Sequence, residues 1–111
     1  MAPSFQDREQ AFEAKYAHDQ EFLFLVTARR DKLLARWAAD RHGMSDTARE
    51  KLLQAVLAIP NSCGHDRAVL DMVSKFVAAY GNPPDEFELQ AAMERSAQQA
   101  KKGLLEGTRV L

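Results

Sequence analysis

The sequence predicts an all-α protein, a small four-helix bundle with a long first helix and a mobile N-terminal arm. The helix breakers Gly and Pro are sparse over long stretches and cluster at residues 43, 60–64, 81–84 and 103–107, which divides the chain into four segments. Within each segment, apolar residues recur at i, i+3, i+4 and i+7, the spacing of one helix face. Four such faces can close around a single core.

The first two predicted helices have clear boundary residues. The first helix runs from about residue 7 to about residue 42, where Gly43 supplies a left-handed end. The second helix follows the N-cap candidates Ser45 and Asp46 and ends before Pro60.

The third and fourth predicted helices complete the bundle. The third spans about residues 65–81, and the fourth opens at residues 83–86 with two prolines and two acids, a typical helix start. The fourth is predicted to end before Gly103, and the last eight residues to fray. The inward faces are predicted to include Leu23, Leu33, Trp37, Leu53, Val56, Leu57, Val73, Phe76, Val77, Tyr80 and Met93.

The first segment is too long for the bundle. Its length of about 36 residues corresponds to a rod of roughly 54 Å, whereas helices of about 15 residues span only ~22 Å. The apolar stripe from Leu23 to Trp37 is preceded by a polar interruption at residues 18–21. We therefore predict that residues 1–20 form an arm and that residues 21–111 form the bundle.

The arm carries three aromatic residues, Phe5, Phe12 and Tyr16, among charged neighbours. Residues 7–21 contain five acids and two bases, whereas residues 28–42 contain five bases and two acids. An amphipathic arm with unused aromatic side chains is suited to folding into a groove of another protein. The alternative is a frayed helix end whose aromatic residues pack locally.

The overall composition excludes several functions. The net charge of −1 argues against a nucleic-acid partner, and the longest apolar run, residues 22–26, is too short to insert directly into a membrane. Residues 1–10 have no apolar signal-peptide core, so we expect no export. The single Cys63 cannot form an internal disulfide, which fits a reducing cytoplasm.

A basic cluster on the first helix is a candidate site for an anion or a nucleotide. Its guanidinium and ammonium groups could bind phosphate and so hold ATP or ADP weakly, as the only cofactor the sequence suggests. No Gly-rich phosphate loop accompanies them, and a solvated or partner-facing surface is the alternative. The cluster consists of Arg29, Arg30, Lys32 and Arg36.

We predict no catalytic site and no metal site. The pairs His18-Asp19 and His65-Asp66 have the residue types of metal-dependent phosphohydrolases, but the pairs are distant in sequence and the chain is short for that fold. The acids are instead expected to be exposed or capping, and the histidines to lie on the surface. Cys63 has no positioned base to activate it as a nucleophile.

Two blocks of the sequence resemble a known family. The segments at residues 5–9, 11–13 and 15–19, followed by the block at residues 28–40, resemble the zeta subunit family of alphaproteobacteria. The members of that family are small inhibitor proteins of the F-type ATP synthase. The resemblance is specific over about the first 43 residues and generic afterwards. This chain departs from the usual family residues at Tyr16, Asp31 and Ala35.

The resemblance implies a non-catalytic inhibitor that is cytoplasmic and peripheral to the inner membrane through the synthase. Its N-terminal segment, mobile when free, would insert at a catalytic interface of the synthase head and contact the α, β and γ subunits. Phe5, Phe12 and Tyr16 would then be apolar anchors, and neighbouring charges would set the orientation. The charged arm residues are Asp7, Arg8, Glu9, Glu13 and Lys15.

Overall fold

The helices account for almost all of the structure. A computed structural model describes residues 20–81 and 84–110, and no β-strand occurs in those two ranges. The helices are α1 (Gln20–Arg41), α2 (Asp46–Leu57), α3 (His65–Val77), a short 3-10 turn (Ala78–Tyr80) and α4 (Glu86–Val110). The predicted all-α four-helix bundle is therefore confirmed.

The helix boundaries follow from local chemistry. Gly43, after α1, has a φ of 60°, in the left-handed region that a residue without Cβ adopts at little cost. The Ser45 hydroxyl accepts a hydrogen bond from the backbone N–H of Ala48 at 3.2 Å and so caps α2. The Asp85 carboxylate accepts one from the N–H of Glu88 at 2.7 Å at the start of α4.

The core lies where α2, α3 and α4 pack against α1. Its largest fully buried side chains are Leu34, Leu52, Val56, Val69, Val73, Val77 and Leu89. Four further residues that the sequence predicted on inward faces are only partly buried and pack against this core: Trp37, Leu53, Phe76 and Met93.

Three predicted inward residues are exposed instead: Leu23, Leu57 and Tyr80. Leu23 is 48% exposed although its neighbour Phe22 is buried, and Leu57, the last residue of α2, is 39% exposed. Tyr80 is 44% exposed. Tyr80 belongs to the 3-10 turn that follows α3. A 3-10 turn has three residues per turn instead of 3.6, so a stripe with the α-helical period leaves the core there.

The fourth helix does not end before Gly103, as predicted, but continues to Val110. The end of α1 meets the start of α4 in the ion pair between Arg41 and Glu88, at 2.7 Å, and Arg29 lies against Gly103, so α4 runs antiparallel to α1. A Cβ at Gly103 would lie 3.4 Å from the Arg29 guanidinium carbon. Packing along the 22-residue α1 therefore offsets the modest helix-breaking cost of glycine, about 1 kcal/mol.

Candidate functional site

The predicted arm lies outside the described residues, except for Gln20, which begins α1. The roles assigned to its aromatic and charged side chains therefore stay predictions. These residues are Phe5, Asp7, Arg8, Glu9, Phe12, Glu13, Lys15 and Tyr16.

The four residues of the basic cluster do not converge on one point. With 3.6 residues per helical turn, positions 29, 32 and 36 fall on one side of α1, and Arg30 points about 100° away. The structure agrees with this geometry, because Arg29, Lys32 and Arg36 are exposed while Arg30 is buried.

Arg30 is held by two carboxylates. Its Nη2 lies 2.9 Å from an Asp31 oxygen and 2.8 Å from an Asp66 oxygen, and its Nε donates to the same Asp31 oxygen at 3.0 Å. Burial disfavours the charge, but the hydrogen bonds to Asp66 and Asp31 outweigh it and raise the pKa of Arg30. Its guanidinium therefore stabilises the packing of α1 on α3.

Lys32 and Arg36 line an open cavity of about 320 Å³ between α1 and α2. The other charged residues around it are Asp46, Arg49 and Glu50. Because two acids accompany three bases, the cavity is only slightly basic. Binding of an anion in this cavity stays a prediction, and only two of the four predicted basic residues, Lys32 and Arg36, line the cavity.

A buried polar network joins the middle of α1 to the first residue of α3. The His65 Nε2 lies 2.7 Å from an Asp31 carboxylate oxygen, and its Nδ1 lies 2.8 Å from the carbonyl oxygen of Pro60. His65 is 8% exposed and Asp31 is 2% exposed. The sequence-based expectation that the histidines lie on the surface was therefore wrong for His65.

The geometry favours a charged imidazole at His65. Each ring nitrogen faces an oxygen acceptor, and only the doubly protonated ring can donate two hydrogen bonds. Burial opposes this charge, but the hydrogen bonds to Asp31 and to the Pro60 carbonyl outweigh it, so the pKa of His65 is raised above 6.5. In this state the positive Arg30 and His65 balance the negative Asp31 and Asp66.

The raised pKa of His65 predicts that the protein loses stability as the pH rises. A group with a higher pKa in the folded state binds its proton more tightly there. The stabilisation that this proton provides is complete below the pKa of the group in the unfolded chain, and it is lost as the pH rises through the pKa of the group in the folded protein. Urea unfolding across this range should show a decline in the free energy of unfolding, and Asp31→Asn should flatten it. An equally steep decline in Asp31→Asn would contradict the assignment.

Sequence reasoning missed this network because it treated each polar residue separately. One signal was available in the sequence. Asp31, Ala35 and Ala38 have the spacing i, i+4 and i+7 and therefore share the buried face of α1. An unpaired carboxylate on that face would cost folding free energy, so Asp31 needs a partner. The identity of its partner depends on the packing of α3. Asp66 is exposed, as expected, and its carboxylate still reaches Arg30.

Two features are absent from residues 20–81 and 84–110. No group of three or more His, Cys, Asp and Glu side chains there is arranged to hold a metal ion. Across the same ranges, no helix has the length and apolar character needed to span a membrane.

Comparison with protein-family models identifies the family. Residues 1–103 match the model described as ATPase inhibitor subunit zeta. The chain belongs to this family. Comparisons with curated proteins and with solved structures found no match.

Membership of the zeta family confirms the resemblance seen in the first 43 residues and extends it over α2, α3 and most of α4. Only the last turns of α4 lie beyond the matched range. The family name describes ATPase inhibitor subunits, so the chain is grouped with regulatory proteins that act on an ATPase.

Proposed function

We propose that this zeta-family chain inhibits ATP hydrolysis by the F-type ATP synthase, with residues 1–20 inserted at a catalytic interface of the head. The inserted arm contacts the α and β subunits and the central γ subunit. The observation that carries the proposal is the family match, which begins at residue 1 and therefore includes the whole arm.

The described bundle supports a division of labour between the arm and the rest of the chain. The main core cluster is formed by buried residues from Leu34 to Ala92, which come from all four helices of the bundle. Because the bundle has its own core, the N-terminal segment is not needed for folding and is available to bind a partner protein. The subunits of the synthase head must move relative to one another during ATP hydrolysis. A segment inserted between them blocks this motion, so the inhibitor itself needs no catalytic residue.

The chemistry of the arm fits insertion into a protein groove. Phe5, Phe12 and Tyr16 provide large apolar surfaces, which are the usual anchors of protein interfaces. The charged residues between them favour one orientation through complementary charges on the partner. These charged residues are Asp7, Arg8, Glu9, Glu13 and Lys15.

The proposal predicts inhibition that depends on the arm aromatics. Purified full-length protein should inhibit ATP hydrolysis by the isolated α, β and γ head, and Phe12→Ala combined with Tyr16→Ala should raise the half-inhibitory concentration. Truncating a buried anchor typically costs about 2 kcal/mol or more, so the increase should be roughly 30-fold or larger.

The matched control for these changes is Phe87→Ala. Phe87 is 83% exposed at the beginning of α4, so its loss removes an aromatic ring without touching the arm. Equal inhibition by the arm variant and the control would show that the arm aromatics do not bind the head.

A further inference from the structure

A groove between the beginning of α2 and the end of α3 combines an apolar floor with two lysines. Its volume is about 440 Å³. Small-molecule sites in proteins typically have volumes of roughly 300–1,000 Å³, so the groove has room for a small ligand. Its lining comes from the loop before α2, the first turns of α2, and the end of α3 with the 3-10 turn that follows it.

The floor of the groove is continuous with the hydrophobic core. Met44 is a member of the core cluster and is 4% exposed, and Ala48 and Phe76 pack against that cluster. Tyr80 also lines the groove but is 44% exposed, so part of its ring is open to solvent. An apolar group in the groove would therefore contact side chains that the fold already holds in place.

The charge of the groove comes from Lys51 on α2 and Lys75 on α3. Both are exposed, and neither has an ion-pair partner among the residues that the structure describes. Asp71, one helical turn before Lys75, instead pairs with Arg67 at 2.7 Å. No described acidic side chain lines the groove, so its two positive charges have no counter-charge there.

Two other grooves of the described bundle contain acids beside their bases. The cavity between α1 and α2 includes Asp46 and Glu50. The groove between α1 and α4 has Asp40 beside Arg36 and Arg95. An anion would be repelled by these carboxylates, and the groove between α2 and α3 lacks such a group.

This lining favours a ligand that is apolar at one end and anionic at the other. The apolar stems of the two lysines can lie along the groove walls while their ammonium groups stay at the rim, in contact with water. A carboxylate at the rim can approach both ammonium groups, while an alkyl or aromatic group covers the floor. A polyphosphate would bring several charges against an apolar surface, where they are costly.

We propose that the groove between α2 and α3 binds a small amphipathic carboxylate. Its apolar group lies against Phe76 and Tyr80, and its carboxylate lies at Lys51 and Lys75. The walls of the site belong to α2 and α3, so this proposal does not depend on the proposed function.

The test is a titration of the full-length protein with sodium decanoate below its micellar concentration, followed through backbone amide resonances by NMR. The resonances of residues 44–51 and 75–80 should shift and saturate. The neutral analogue decanamide should bind about tenfold more weakly, because it lacks the charge that the lysines attract. Shifts that do not saturate, or equal affinities for the two molecules, would overturn the proposal.

Two variants locate the ligand in the groove. Lys51→Gln combined with Lys75→Gln should weaken decanoate binding by about tenfold or more. Ala79→Phe, at an exposed position, fills the groove while both lysines remain, and should weaken binding as well. The matched control is Lys101→Gln combined with Lys102→Gln, which removes two exposed lysines of α4 outside the groove and should bind like the wild type.

Three results with other proteins or variants would contradict the assignment. Equal losses in the two lysine pairs would show a general attraction between charges. Decanoate that binds only after residues 1–20 are deleted would show that the acidic arm of the chain occupies the groove. Release of bound decanoate by the isolated synthase head would show that a protein partner covers it. Each of these results overturns a small carboxylate as the occupant.

Discussion

Deletion of residues 1–20 is expected to abolish inhibition of ATP hydrolysis and to leave the melting temperature of the remaining chain nearly unchanged. We expect the two effects to separate because the main core cluster begins at Leu34 and joins the four helices that follow the deleted segment. Phe22 is the first buried residue of α1, and the largest fully buried side chains lie between Leu34 and Leu89. Circular dichroism melting and the hydrolysis assay, performed on the same preparation, measure both effects.

Two outcomes would contradict this prediction in different ways. A truncated protein that inhibits as well as the full chain would show that residues 1–20 do not carry the function. A truncated protein that is unfolded would show that the arm contributes to the fold and that the boundary at residue 20 is misplaced. The Phe87→Ala protein, with its arm intact, should inhibit and melt like the wild type.

The second large effect is expected at Asp31, where Asp31→Ala should lower the free energy of unfolding by about 3–5 kcal/mol. The change removes the acceptor for the His65 Nε2 and one of the two carboxylates that hold Arg30. Two buried cationic side chains would then share only the exposed Asp66 as a counter-charge. A loss of this size is a large part of the total stability of a small domain, roughly 5–15 kcal/mol.

Asp71→Ala is the matched control, because Asp71 also accepts hydrogen bonds from an arginine, Arg67, but is 65% exposed. Solvent screens that ion pair, and its removal should change the free energy of unfolding little. Urea unfolding at a pH where His65 is charged measures both variants. Similar losses for Asp31→Ala and Asp71→Ala would mean that the buried network contributes no more than a surface ion pair.

The fold was largely predictable because helix breakers and apolar spacing are local properties. Ser45 caps α2 and Gly43 follows α1 where the pattern indicated. The prediction failed at Gly103, where it relied on the intrinsic preference of glycine alone. Contact with Arg29 and the length of α1 keep α4 helical through that position.

The candidate site was predictable only in part. The family was recognisable from the opening blocks of the chain, since they hold many specific positions in a short stretch. Exposure was harder to predict. The stripe that contains Leu23 continues the pattern of Leu34, but only the second is covered by neighbouring helices.

The sequence by itself determined the helical class, the approximate helix boundaries and the family, and it predicts the division at residue 20 that the proposed function uses. Only the tertiary structure decided that Asp31 pairs with His65, that Arg30 is buried while Arg36 is exposed, and that Leu23 is exposed while Leu34 is buried. The physical reason is the range of the interactions. Capping and helix periodicity act over a few residues, whereas burial and ion pairing depend on which helices meet in space.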